Sequence, residues 1–81
     1  MEQEGISAAQ IRAARALVGL SQADLGQRAA FSSMTIKRAE GIGSPYPSSE
    51  AIAAIRSALE SAGVVFLSEN GNGPGVALRK E

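Results

Sequence analysis

Residues 19–41 constrain this chain more than any other stretch, because two helix starts follow one another there with only a short break between them. Ser21 and Asp24 form an S-x-x-D pair, the arrangement that satisfies free amides at a helix N-terminus. Leu25 and Ala29 then fall on one helical face. A break is expected at Ala30 and Phe31. Ser32 can cap a second helix running through Glu40, with Ile36 and Ala39 turned inward. The small residues Gly26 and Ala30 let two helices approach closely. Leu25, Phe31 and Ile36 are expected to lock the angle between them. Ser33, Met34, Lys37 and Arg38 are left facing outward.

The flanking segments read as further helices and a hairpin. Residues 7–20 are rich in alanine, with Ile11, Ala14 and Val18 at helical spacing, Ser7 as the cap and Gly19 at the end. Gly41, Gly43, Pro45 and Pro47 mark a loop that no helix crosses. A helix over 48–62 follows, capped by Ser48 or Ser49, with Ile52, Ile55, Leu59 and Ala62 on one stripe and Gly63 at its end. Val64, Val65, Phe66 and Leu67 then read as a strand, residues 69–75 as a turn, and residues 76–80 as the return strand. The expected architecture is mainly α: a four-helix unit over 6–62, with helices at about 21–29, 32–40 and 48–62. A loose N-terminus over 1–5 precedes it, and a β-hairpin over 63–81 follows.

Composition removes several function classes. The 81 residues include neither cysteine nor histidine, so thiolate metal sites and the commonest general base near neutral pH are both excluded. No nucleophile–base pair remains, and the chain reads as a non-enzyme with no cofactor and no metal. Glycines 71, 73 and 75 superficially suggest a phosphate loop, but neither a following Lys-Ser or Lys-Thr nor a preceding strand–helix context is present. No apolar run reaches the ~20 residues a membrane span requires. The acidic start over 1–5 is unlike a secretory signal, so a cytoplasmic location is expected. Formal net charge is zero, yet residues 6–41 carry the five cations Arg12, Arg15, Arg28, Lys37 and Arg38 against only Asp24 and Glu40. A locally basic face can track phosphates even on a neutral chain, with modest long-range steering.

Two short helices crossing steeply over a tight turn make a helix-turn-helix, whose second helix fits the DNA major groove. The residues of 19–41 resemble the Cro and phage-repressor type of this motif, the xenobiotic response element family. The resemblance rests on Leu20-Ser21-Gln22, Leu25-Gly26, Phe31-Ser32, Thr35-Ile36-Lys37 and Glu40, and it extends over residues 6–59. Ala30 stands where the family ordinarily has glycine, Gly26 where it has alanine, and Phe31 where it has valine. The glycine at 26 is expected to cost the helix about 1 kcal/mol.

The resemblance implies roles for particular residues. Gln22 would contact a DNA phosphate and brace the second helix. Ser33, Met34, Lys37 and Arg38 would face base edges and nearby backbone, and Thr35 would touch phosphate. Arg15 and Glu40 would form a structural ion pair. Independently, an arginine such as Arg38 suits a bidentate contact to guanine, and Met34 suits a thymine methyl. For Arg12 and Arg28 a phosphate contact and a solvated position stand even.

The partner expected is double-stranded DNA, with no small-molecule ligand and no membrane. Repressor-type domains pair on half-sites as symmetric dimers, and an isolated hairpin is marginal in water. Val64, Val65, Phe66, Leu67, Val76 and Leu78 are therefore expected to form a homodimer interface. The competing reading is an antitoxin or other interaction module that binds a partner protein through its C-terminal part.

Overall fold

Each helix begins on a serine. In the computed structural model, which describes residues 5–68 and 73–80, the helices are α1 (Ala8–Leu17), α2 (Gln22–Ala29), α3 (Ser33–Ala39) and α4 (Ser49–Ser61). The side chains of Ser7, Ser21, Ser32 and Ser48 each accept the backbone amide three residues on. One of the orphan amides at each helix start is satisfied in this way. At Ser7 and Ser21 the cap is reciprocal, with Gln10 and Asp24 returning a bond to the cap amide. The chain then forms an antiparallel hairpin, β1 (Val64–Leu67) with β2 (Gly75–Leu78). The expected loose N-terminus and the centre of the hairpin turn fall on residues 1–4 and 69–72, outside the described residues.

The helix boundaries follow the capping and terminating residues, α1 included. It stops at Leu17, with Val18 as its cap and Gly19, the residue expected at its end, at a left-handed φ of 69°, and Ser21 already caps the next helix. Ala30 is also left-handed, at φ 65° and ψ 38°. That conformation costs a residue with a Cβ about 1–2 kcal/mol, and it turns the chain from α2 into α3.

The core is made of one face from every helix. Ile11 and Ala14, Leu25, Ile36 and Ala39, and Ile55 and Leu59 are fully buried, joined by Val64 from β1. Phe31 does not join them. It stands in the turn at 36% exposure, so the expectation that it helps lock the helix angle is corrected. Leu25 and Ile36 remain.

The hairpin docks on this core, with β2 against α1 and β1 against α4. Directly opposed residues of an antiparallel pair share a face. Val64 pairs with Leu78 and Phe66 with Val76, while Val65 pairs with Ala77 and Leu67 with Gly75. Of the first set, Val64, Phe66 and Val76 lie toward the core: Val64 is 1% exposed, and Phe66 and Val76 pack against the buried cluster, whereas Leu78 is 53% exposed. The expectation that all six apolar residues meet a second chain is corrected at these three, because the hairpin needs them to hold onto its own domain. Val65, Leu67 and Leu78 stay exposed.

Two side chains tie the hairpin down. Gln10, buried on α1, donates its amide nitrogen to the carbonyls of Leu67 (3.2 Å) and Gly75 (2.9 Å). Arg79 bonds the carbonyl of Gly63 through its amide (2.7 Å) and that of Glu60 through Nη2 (2.9 Å), closing the C-terminal end of α4. Among the described residues no helix is long and apolar enough to cross a membrane.

Candidate nucleic-acid interface

Seven residues of helix give α3 two distinct sides. Ile36 and Ala39 are buried, as is Glu40 at its C-cap. Ser33, Met34 and Lys37 are exposed, with Met34 at 50%. Arg38 is half-buried at the border, in the same last turn as Lys37. Thr35 is half-buried on the other flank. Its amide is bonded to the Ser32 hydroxyl at 3.2 Å, and the two hydroxyls are 3.2 Å apart. Among the described residues, neither Lys37 nor Arg38 has a side-chain hydrogen bond or an ion pair.

The inward side is held by Glu40, which is only 2% exposed. Its carboxylate accepts from Arg15 Nε at 2.7 Å and Arg15 Nη2 at 3.1 Å, a two-pronged contact from α1. Gln22 Nε2, from the first turn of α2, adds a third bond at 3.1 Å. The main-chain carbonyl of Glu40 accepts from Arg12 Nη1 at 2.7 Å. One carboxylate and one carbonyl at the end of α3 thus gather donors from both preceding helices. The bond to Glu40 holds the Arg15 guanidinium above its ordinary pKa, against an opposing effect of burial. Arg15 also donates to the carbonyl of Leu20 at 3.1 Å.

The six residues expected to face DNA are therefore distributed in two ways. Ser33, Met34, Lys37 and Arg38 share the outer side of α3, with Thr35 on its flank. Gln22 is half-buried and turned toward Glu40, so of its two implied roles the geometry contains the bracing one. Arg12, which sequence reasoning left undecided, is bonded to the end of α3. Sequence reasoning missed Gln10, although Ser7-x-x-Gln10 repeats the capping-box spacing that marks Ser21 and Asp24. It also missed the fixing role of Arg79, for which no local signal exists.

The entry into α3 depends on a close backbone approach. A Cβ built on Gly26 would lie 2.6 Å from the carbonyl oxygen of Phe31 and 3.3 Å from the backbone of Ser32 and Ser33. The start of α2 is set independently of the core. Asp24 is held below the usual carboxylate pKa by its bonds to the backbone and hydroxyl of Ser21, with Arg28 contributing a smaller electrostatic pull. A groove of about 460 Å³ between α2 and α4 is lined by Arg28, Ala29, Ala54, Ser57, Ala58 and Ser61 and contains no residue of α3. No protein-family model matches the chain, and no curated protein matches it significantly.

Proposed function

We propose that this protein binds double-stranded DNA sequence-specifically as a small transcriptional regulator, a repressor by preference, working as a homodimer on paired half-sites. In this reading α2, the turn at 30–32 and α3 are the helix-turn-helix, and α3 enters the major groove. One observation carries the proposal. Among the described residues, the side chains of Ser33, Met34, Lys37 and Arg38 on one side of α3 have no hydrogen-bond or ion-pair partner, while the opposite side is fixed by four hydrogen bonds to Glu40. A rigidly mounted helix with an unspent polar and basic face suits base-edge recognition.

The exposed Val65, Leu67 and Leu78 favour a second role for the hairpin as an interaction surface. In the homodimer reading a second copy covers them. In the alternative reading a different protein does so, as in an antitoxin.

On a specific duplex, Arg38→Ala is expected to weaken binding by about 1–3 kcal/mol and to relax preference at one base pair. Fluorescence anisotropy over a panel of single-base substitutions checks both effects, with circular dichroism confirming the fold. Equal binding and equal preference in the variant and the parent would contradict the placement of α3 in the groove.

A further inference from the structure

Arg12 and Arg15 stand one turn apart on α1, and both reach the end of α3. Arg15 takes the Glu40 side chain. Arg12 takes the Glu40 main chain, donating from Nη1 to the carbonyl at 2.7 Å. The last carbonyls of a helix have no amide partner within it, so Arg12 supplies a donor that α3 lacks. It also sets a positive charge at the negative end of the helix dipole. An added Cβ at Gly41, the next residue, would come within 3.9 Å of the same nitrogen, so the guanidinium lies directly along the chain leaving α3. The turn it grips carries Lys37 and Arg38.

An exposed arginine on a DNA-binding surface is ordinarily read as a phosphate contact. The geometry points to a different role. We infer that Arg12 is a positioning residue: it fixes the C-terminal turn of α3 and thereby places Lys37 and Arg38, without contacting phosphate itself. The part concerning DNA rests on the reading of α3 as the DNA-facing helix. The part concerning the helix end does not.

The two parts are tested together with Arg12→Met, which keeps an apolar stem and removes both charge and donor. In the free protein, amide hydrogen exchange at Glu40, Gly41 and Ile42 reports the integrity of the helix end, because these amides bond back to carbonyls of Ile36, Lys37 and Arg38. Their exchange is expected to quicken by about tenfold, the scale of one lost charge-assisted bond, while Ile11 and Ile55 in the core exchange as before. On DNA, specific affinity is expected to fall by about tenfold, with non-specific affinity and the salt slope unchanged. A salt slope reduced by about one, with specific and non-specific affinity falling together, would make Arg12 a phosphate contact and overturn the inference. Unchanged exchange at residues 40–42 would overturn it as well. If the parent chain binds no duplex, the DNA reading fails by itself, and the exchange measurement still decides whether Arg12 holds the helix end.

Discussion

Arg15→Ala is expected to destabilise the protein by about 3 kcal/mol, lowering the thermal midpoint by roughly 15 °C for a chain of this size. The cause is the group left behind. The Glu40 side chain is 1% exposed and that of Arg15 24%, so removing the arginine strands a buried carboxylate with Gln22 its one remaining side-chain donor among the described residues. Partial access of water on the arginine side keeps the cost at the lower end of that for breaking a buried pair. A double variant, Arg15→Met with Glu40→Leu, should recover a large part of the loss, because the uncompensated charge is gone. Urea unfolding with an unchanged m-value measures both effects. A loss below about 1 kcal/mol would mean that the pair behaves as a solvated surface bridge.

Gly26→Ala is the second large effect. In an open helix the change would stabilise by about 1 kcal/mol through propensity. Here the new Cβ meets the Phe31 carbonyl at 2.6 Å, and the neighbours at 3.3 Å are also backbone. No side-chain rotation relieves such a contact, so the turn must shift at a cost of about 1–3 kcal/mol beyond the propensity gain. The net expectation is a destabilisation of about 2 kcal/mol, together with weaker DNA binding from displacement of the start of α3. Denaturant titration gives the first and anisotropy the second. A variant more stable than the parent would show that the turn at 30–32 yields freely.

The contrast at Gly26 shows where reading the sequence stops. Judged by propensity, this glycine is a weakness in α2. Its small size marks it in the sequence as a place of close approach, but no property of the neighbouring residues encodes that the Phe31 carbonyl comes within 2.6 Å of where a Cβ would stand. The caps were legible because Ser21 with Asp24, and Ser32, act on amides only a few residues away. The outward set on α3 was legible for the same reason, since helical periodicity fixes which residues share a side.

The hairpin was half legible. Apolar residues on both faces identify a strand, yet they leave open which face belongs to the core. Val64, Phe66 and Val76 go inward because Gln10 and the end of α4 hold the sheet in that register, and these partners are far away in sequence. Phe31 failed for the converse reason. A large apolar residue suggests the core, but the left-handed Ala30 before it turns the chain so that the ring stands at the surface.

Selection of bound duplexes from a random pool asks whether α3 reads DNA without assuming an operator or a partner. Two half-sites related by a two-fold axis, centred about one helical turn apart, are expected to be enriched, with the enrichment lost in Arg38→Ala. A single half-site would leave Val65, Leu67 and Leu78 to a different protein. A final pool no different from the starting one, with the chain folded and at micromolar concentration, would contradict the assignment of α3 as a DNA-reading helix.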